Sequence, residues 1–178
     1  MKIIENILPS SLQDYIENLT FSSKFEWRFC EDTAFHNLEN KNNEKIPGFS
    51  HIMLEHGQLL SPFSQNFEPI FNLIASNAKV EFNTIDRVRF GLYLPLKTKK
   101  KHNNIHVDAP FPHTVLLYYV NDSDAPTYFF DENENIINSI TPKKGSAVVF
   151  DGSTPHASSL PEQEARITLN INFKGLQI

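Results

Sequence analysis

Residues 87–94 read RVRFGLYL and residues 166–173 read RITLNINF, and both stretches alternate strictly between two kinds of side chain. In the first stretch the apolar positions are Val88, Phe90, Leu92 and Leu94, and the positions between them are Arg87, Arg89, Gly91 and Tyr93. Successive side chains of a β-strand point to opposite faces of its sheet. Both stretches are therefore predicted strands with one apolar face and one polar face.

The polar face of these two strands has two interpretations. In many sheets the polar face is turned to solvent. In a jelly roll, the inner faces of two sheets enclose a cavity, and a polar inner face then marks a binding site. Arg89 shares the face of Tyr93, so it either pairs with Asp86 or another carboxylate, or contacts a substrate.

The remaining elements favour a mainly β fold. Short segments rich in Val, Phe, Tyr and Ile predict further strands at Ile105–Asp108, Thr114–Val120, Thr127–Asp131 and Ser146–Phe150. Helical spacing predicts helices at Ser11–Leu19, with a capping box of Ser10 and Gln13, and at Phe67–Asn77, with Asn66 as the cap. The polar stretch Glu31–Lys45 is predicted as a loop. We expect one domain over residues 1–178, with a helical part at about 1–80 packed outside a jelly-roll (double-stranded β-helix) core at about 81–175.

Composition limits the classes of partner. The net charge of -5 gives no sign of a polyanion partner, so nucleic acid is not expected. No apolar run approaches the ~18 residues of a membrane span, and Glu5 and Pro9 interrupt the N-terminal apolar stretch, so no membrane association is expected. Cys30 is the only cysteine, which suits a reducing compartment, and we expect a cytoplasmic protein. The oligomeric state is not predicted.

The segment His106-Val107-Asp108 carries an imidazole and a carboxylate that project together if the segment is extended. A third ligand, His156, follows a strand-like run and the turn Asp151-Gly152. Two histidines and one carboxylate on one face of a metal are the ligands of non-heme iron(II) oxygenases. The three-residue pattern alone also occurs by chance in many chains.

Arg166 stands at the start of the last predicted strand, and its surroundings decide its role. A buried guanidinium needs a counter-charge, because desolvating an unpaired cation is very costly. A bound dicarboxylate could supply it, since the planar guanidinium matches a carboxylate with two hydrogen bonds. The alternative is a surface Arg166 paired with Glu162 or Glu164.

Taken in order, several segments resemble the iron(II)- and 2-oxoglutarate-dependent oxygenases, and among them the prolyl-hydroxylase-like branch. The resemblance covers about half of the chain, from about Arg87 to Phe173. It is carried by Tyr93 before a proline-containing loop, His106-Val107-Asp108, TVLLYYVN at 114–121, KGSAVVF at 144–150, Pro155-His156 and Arg166-Ile167-Thr168.

The resemblance implies a dioxygenase that uses Fe(II), 2-oxoglutarate and O2 and forms succinate and CO2. It implies that the catalytic metal is bound by His106, Asp108 and His156, and that Arg166 holds the far carboxylate of 2-oxoglutarate. Tyr93, Tyr119 and Thr168 are assigned to the same cosubstrate, with Tyr118 as the alternative to Tyr119.

The implied substrate is a peptidyl residue or a small amino acid-like molecule. Asn172 stands where prolyl hydroxylases often carry an aromatic residue, and Asp124-Ala125-Pro126 replaces a Gly-Gly or Gly-Pro turn, so prolyl hydroxylation is not specifically predicted. A cupin-like metal protein that does not use 2-oxoglutarate, or a non-catalytic binding module, is the alternative. Arg166 with the two tyrosines distinguishes these classes, because a cupin site needs no dicarboxylate anchor.

Other polar residues receive structural interpretations. His113 is not expected to be a metal ligand, and the remaining histidines are expected at surface or structural positions; these are His36, His51, His56 and His102. Trp27 and Cys30 are expected to pack in the core. Residues 51–54 and 59–60 could line the entrance of the site. The basic run Lys97–Lys101 is expected to be a solvated loop, or to steer an acidic partner toward the site.

Overall fold

A computed structural model describes residues 1–33 and 45–175 of the chain, so most of the predicted loop Glu31–Lys45, together with His36, lies outside the described residues. The helices are α1 (Ser10–Thr20) and α2 (Ser64–Ala78). The strands are β1 (Lys2–Ile4), β2 (Arg28–Cys30), β3 (Gly48–Glu55), β4 (Gln58–Leu59), β5 (Thr84–Tyr93), β6 (Thr114–Tyr119), β7 (Thr127–Phe130), β8 (Ile136–Ile140), β9 (Ala147–Asp151), β10 (His156–Ser158) and β11 (Arg166–Lys174).

The strands form two antiparallel sheets. The large sheet has eight strands in the order β1-β9-β6-β11-β5-β3-β2, with β4 paired to β3. The small sheet has three strands in the order β10-β7-β8. Two antiparallel sheets with two helices form the predicted jelly-roll core with flanking N-terminal helices, so the predicted fold class is confirmed.

The apolar side chains separate into two clusters, one on each face of the large sheet. The outer cluster joins Ile16 of α1 and Phe67 and Ile74 of α2 to Val88 and Leu169 of the sheet, all of them fully buried. The inner cluster lies between the two sheets and contains Val115, Leu117, Tyr119, Phe129, Ile140, Val148 and Phe150. Burial of one such side chain contributes about 1.5–3 kcal/mol. Because both faces of β6 are covered, all six of its residues are buried.

The pairing of β5 with β11 brings the two alternating stretches side by side. Tyr93 is opposite Arg166, Gly91 is opposite Thr168, and Arg89 is opposite Asn170. The apolar positions Val88, Phe90, Leu169 and Ile171 all belong to the outer cluster beneath the helices. The polar faces of the two strands therefore form one continuous surface, and it faces the interior of the sandwich.

Both helices begin earlier than predicted, and neither has the predicted cap. Helix α1 starts at Ser10 directly after Pro9, with no side-chain cap, and Gln13 donates a hydrogen bond to the Leu8 carbonyl at 2.7 Å. The predicted capping box is therefore wrong. Helix α2 starts at Ser64, so Asn66 lies within it, and the Ser64 hydroxyl instead donates to the Met53 carbonyl at 2.6 Å.

The first third of the chain is not purely helical, because it contributes β1 to β4 to the large sheet. Strand β3 is the most important addition: it pairs with β5 along most of its length, with a bulge between Ile52 and Leu54. The predicted strand Ile105–Asp108 is instead an isolated bridge, in which only His106 pairs with His156. Among the described residues, no helix has the length and apolarity that a membrane span requires.

Candidate active site

A cavity opens between the two sheets on the polar surface that β5 and β11 share. About 750 Å³ of space there contains no protein atom, counting the open mouth. Its wall includes the polar residues Arg87, Arg89, Tyr93, His106, Asp108, Thr127, His156, Ser158, Arg166, Thr168 and Asn170, and the apolar residues Phe49, Leu92 and Leu117.

His106, Asp108 and His156 meet at one side of this cavity. Each offers one ligand atom, and the three atoms lie within 4.8 Å of one another, so the group could hold a metal ion. Backbone pairing brings the two histidines together, since each donates its N–H to the other's carbonyl at 3.0 Å. Asp108 lies two residues beyond His106 and reaches the same point from the same segment.

The hydrogen bonds of the two imidazole rings favour metal binding. The Nδ1 atom of His106 lies 3.1 Å from the Asn104 carbonyl oxygen, and Nδ1 of His156 lies 3.0 Å from the Thr154 carbonyl oxygen. A carbonyl oxygen only accepts, so each Nδ1 carries the proton and donates it. Each Nε2 then keeps its lone pair, as a metal ligand requires.

Asp108 is held as a carboxylate by cations and hydrogen bonds. Its Oδ1 lies 2.9 Å from the Arg87 guanidinium, and its Oδ2 accepts a hydrogen bond of 2.8 Å from Asn170. Burial alone would raise the pKa of Asp108, but the Arg87 guanidinium and the hydrogen bond from Asn170 oppose burial and hold the pKa below its usual range.

His106 remains neutral because burial, followed by the nearby His156, lowers its pKa to about 4. At neutral pH the group thus offers an ionised carboxylate beside a deprotonated His106, which is the protonation state that metal binding needs. Two nitrogen donors and one oxygen donor suit Fe(II) and leave further coordination positions open.

Arg166 lies at the other end of the polar surface and is only 3% exposed. Its Nε donates to the Ala125 carbonyl at 3.1 Å, and one terminal nitrogen donates to the Thr127 hydroxyl at 2.8 Å. No carboxylate of residues 1–33 or 45–175 forms an ion pair with it. A surface pair with Glu162 or Glu164 is therefore wrong, and the buried cation lines the cavity without a counter-charge.

The two adjacent tyrosines of β6 point to opposite faces of the large sheet. Tyr118 belongs to the outer cluster, whereas Tyr119 belongs to the inner one and donates a hydrogen bond to the Thr127 hydroxyl at 2.9 Å. Its ring centroid lies 6.0 Å from the Arg166 guanidinium carbon. Tyr119 is not among the residues that line the cavity, so it supports Thr127 and Arg166 from behind, and direct contact with a cosubstrate remains a prediction.

Tyr93 and Thr168 line the cavity near Arg166. The Tyr93 hydroxyl lies 2.5 Å from the Thr33 hydroxyl, which fixes the position of the ring. Thr168 lies across the strand pair from Gly91, and a Cβ at Gly91 would lie 3.5 Å from the Thr168 hydroxyl. Arg166, Tyr93 and Thr168 are therefore brought together at one end of the cavity.

Several cavity residues were not identified from the sequence. Arg87 and Asn170, which hold Asp108, share the predicted polar faces, so their parity in the two alternating stretches was the available signal. Thr33 and Phe49 come from the first third of the chain, where the strands were not predicted. Of residues 51–54 and 59–60, proposed for the entrance, none lines the cavity.

Among the described residues, the remaining histidines lie outside the candidate metal group. His51 is buried between the Glu26 carbonyl and the Ser61 hydroxyl, at 2.6 Å from each, which is a structural role. His113 is buried, with Nδ1 2.7 Å from the Phe111 carbonyl. His102 packs on Phe130 with ring centroids 4.8 Å apart.

Two further expectations have different outcomes. Trp27 packs against the outer cluster, as predicted, whereas Cys30 is only partly buried on the edge strand β2, so its assignment to the core is wrong.

The basic run Lys97–Lys101 is largely exposed, and Lys101 lies 5.5 Å from the ring centroid of Tyr128, a small-sheet residue that does not line the cavity.

No protein-family model and no curated protein sequence matches the chain. Solved structures, in contrast, match the chain over most of its length. An oxidoreductase of the 2OG-Fe(II) oxygenase family from Burkholderia pseudomallei superposes with a TM-score of 0.75 at 11% identity, covering 97% of this chain and 84% of that one. A Trichoplax adhaerens prolyl hydroxylase, in complex with a peptide fragment of the hypoxia inducible factor oxygen degradation domain, gives 0.67 at 12% identity, covering 97% and 82%.

A third solved structure extends the chemistry found on this fold. A non-heme alpha ketoglutarate dependent epimerase from nogalamycin biosynthesis superposes with a TM-score of 0.61 at 11% identity, covering 96% of this chain and 76% of that one. At such low identity these likenesses establish architecture, because unrelated activities can share one architecture. The chain has the fold of the 2OG-Fe(II) oxygenases, including their prolyl hydroxylases.

Proposed function

We propose that this protein is an Fe(II)- and 2-oxoglutarate-dependent dioxygenase. In this proposal His106, Asp108 and His156 hold the iron, and Arg166 binds the far carboxylate of 2-oxoglutarate. One observation carries it: a group of two histidines and one aspartate shares a cavity with a buried arginine that has no counter-charge among the described residues. The first feature suits iron, and the second suits a dicarboxylate.

The residues of the chain would supply geometry and charge. The carbonyls of Asn104 and Thr154 orient the two imidazoles, while Arg87 and Asn170 orient Asp108. When bound, Fe(II), 2-oxoglutarate and O2 together supply the oxidation of a substrate C–H bond, with succinate and CO2 as co-products.

The other end of the cavity would position the dicarboxylate. The Arg166 guanidinium can form two parallel hydrogen bonds with a carboxylate, and the hydroxyl groups of Tyr93 and Thr168 lie on the same wall. Leu117 of the inner cluster adds apolar surface to the cavity wall.

We further propose hydroxylation of a peptidyl residue or a small amino acid-like molecule as the reaction. The prolyl hydroxylase among the structural neighbours was solved with a peptide fragment, which supports a substrate of this kind. The epimerase with the same fold shows that the architecture alone does not determine the reaction.

The cofactors are tested by anaerobic spectroscopy. Wild-type protein with Fe(II) and 2-oxoglutarate should show a weak visible charge-transfer band, because the cosubstrate chelates the metal. Asp108→Ala should lose the band, since it removes the only carboxylate of the metal group, whereas Asp14→Ala on α1 should keep it. Wild-type protein without the band at saturating concentrations would contradict the proposal.

Arg166 separates this function from a cupin-like metal site that does not use 2-oxoglutarate. Loss of a charged hydrogen-bond partner costs about 1.5–3 kcal/mol, so Arg166→Met should weaken 2-oxoglutarate binding by about 10- to 100-fold. Titration of the band with 2-oxoglutarate measures this loss, and metal affinity should change little. Equal loss of both affinities would instead show that Arg166 supports folding.

A further inference from the structure

Arg89 lies in the middle of the polar surface of β5, between Arg87 and Gly91, and lines the cavity beside the candidate metal group. The side chain is half-buried. Among residues 1–33 and 45–175, no hydrogen bond or ion pair engages its guanidinium.

Arg89 differs in this respect from the other two arginines of the cavity. Arg87 forms an ion pair with Asp108, and Arg166 is held by the Ala125 carbonyl and the Thr127 hydroxyl. Pairing between Arg89 and Asp86 is wrong, because Asp86 binds Lys174 and His56 and no ion pair joins it to Arg89 among the described residues.

The charges around the cavity leave Arg89 without compensation. The wall carries three arginines and one carboxylate, Asp108, which Arg87 neutralises. A divalent metal and the dianion 2-oxoglutarate would cancel each other, so Arg166 and Arg89 would leave a net charge of +2, with Arg166 in contact with the dianion. Arg89 would then remain a partly desolvated cation next to the reacting centre, and an anion there would be strongly favoured.

The side-chain oxygen of Asn170 lies near Arg89 and has no partner among the residues that the structure describes, which favours polar contact with a ligand at this surface. Asn170, opposite Arg89 in the register, donates to Asp108, but its buried Oδ1 has no hydrogen-bond partner within the described part of the chain. A ligand that brings both a carboxylate and a hydrogen-bond donor would therefore find complementary groups on neighbouring strands.

We propose that Arg89 binds a carboxylate of the substrate, so that the substrate class is small carboxylic acids with an N–H or O–H donor, such as free or N-acylated amino acids. This inference rests on the proposed function and narrows it. It excludes internal residues of a peptide unless their side chain is acidic. Arginine is suited to this task because its planar fork forms two hydrogen bonds with a carboxylate.

The test compares acids with their uncharged counterparts. The anaerobic Fe(II)–2-oxoglutarate complex is mixed with a pool of N-acetyl amino acids and with the pool of their methylamides, and ultrafiltration with mass spectrometry measures what the protein retains. Wild-type protein should retain particular acids over their amides. Arg89→Met should retain them about tenfold or more weakly, Arg89→Lys should recover part of the affinity, and Arg28→Met, a control on the exposed edge strand, should match wild type.

The charge-transfer band separates the failure of this inference from failure of the proposed function. Absence of the band in wild type contradicts the function, and this inference falls with it. With the band present, equal retention of acids and amides by wild type overturns the role of Arg89. An unchanged preference for acids over amides in Arg89→Met also overturns the role of Arg89. Loss of the band in Arg89→Met would show that Arg89 acts on the cosubstrate, and it would overturn the proposed contact with the substrate. If the methionine variant is unstable, Arg89→Gln repeats the comparison.

Discussion

Asp108 shows how single residues prepare the candidate metal group. Both of its carboxylate oxygens already have partners, the Arg87 guanidinium on one and the Asn170 amide on the other. Each oxygen has a further lone pair, so the carboxylate can still bind a metal. Such outer contacts orient ligands before the metal arrives, and their loss typically costs 10- to 100-fold in metal affinity.

Asn170→Ala should weaken Fe(II) binding by about tenfold, because Asp108 loses the hydrogen bond that orients it. Anaerobic competition with a chelating dye measures the affinity. Asn172→Ala is the matched control: Asn172 is also a buried asparagine on β11, but no hydrogen bond joins it to Asp108 among the described residues. Equal losses in the two variants would show that the effect comes from the strand and not from the contact.

At the level of elements, the turn before β9 packs directly against helix α1. Gly145 has a φ of +78°, and an added Cβ there would lie 2.2 Å from the Gln13 side-chain oxygen. Gln13 cannot move freely, since it donates to the Leu8 carbonyl at 2.7 Å. Lys144 reinforces the contact by pairing with Asp14 at 2.6 Å and with Glu17 at 2.5 Å.

Gly145→Ala should therefore lower the free energy of unfolding by about 2 kcal/mol or more, through backbone strain and collision with Gln13. Gly57→Ala separates the two causes. Gly57 has a similar φ of +77° but no neighbouring atom within 4 Å, so its substitution should cost only about 1 kcal/mol. Urea denaturation measures both values. The same loss in both variants would mean that the collision has no energetic effect.

The paired ends of β5 and β11 should make stability depend on acid pH. Burial alone would raise the pKa of Asp86, but hydrogen bonds from Lys174 and His56 lower it below its ordinary value of 3.8. The carboxylate therefore contributes stability above pH 3.8, and this contribution disappears as the pH falls through the lower pKa of the folded state.

Asp86→Asn should accordingly be less stable than wild type at pH 7, by about 1 kcal/mol, and the difference should shrink as the pH falls below 3.8. Denaturant unfolding at a series of pH values measures this. Glu132→Gln, on the exposed turn after β7, serves as the control. A stability difference that does not change with pH would contradict the ion pair.

Regular elements were predictable from the sequence, and irregular ones were not. Strand β5 alternates regularly from Arg87 to Tyr93, and β11 from Arg166 to Asn172, before the bulge in their pairing. The orientation of both strands was therefore predictable, and most of the cavity wall with it. Strand β3 has a bulge that breaks its period, and β8 is an edge strand with mostly exposed side chains. Strand β10 has three residues. Elements of this kind leave little pattern for sequence reasoning to detect.

That His106, Asp108 and His156 lie close together was also predictable, but the contacts that support them were not. His106 and Asp108 were identified from their spacing and from the resemblance to the oxygenases, although their segment forms an isolated bridge and not a strand. The caps of both helices were assigned from residue type, whereas α1 starts at Ser10 and α2 at Ser64, and neither has a side-chain cap. Partners such as Thr33 for Tyr93 depend on tertiary packing and carry no local pattern.

At the scale of the whole molecule, the candidate metal group joins parts that are distant in the chain. His156 belongs to the small sheet, whereas Asp108 lies in the connection between β5 and β6 of the large sheet and contacts Arg87 of β5. A bound metal would therefore link the two halves of the sandwich. Because a ligand that binds only the folded state stabilises it, metal should raise the unfolding temperature.

We expect Fe(II) with 2-oxoglutarate, each at about 100 times its dissociation constant, to raise the unfolding temperature by roughly 10–20 °C under anaerobic conditions. A chelator should reverse the rise. Differential scanning fluorimetry measures it, and Asp108→Ala should show little or no rise, since it lacks one ligand of the group. An equal rise in this variant would place the metal elsewhere on the protein.

The two sheets differ in how much other structure packs against them. Helices α1 and α2 pack on the outer face of the large sheet, while the small sheet has three strands and exposes Ile137 at 60%. Local opening should thus begin at the small sheet, which carries His156. Arg166 and its neighbours on β11 would stay in place meanwhile. In the proposed enzyme, local opening of the small sheet would release succinate at the metal end of the cavity while the end that contains Arg166 stays folded.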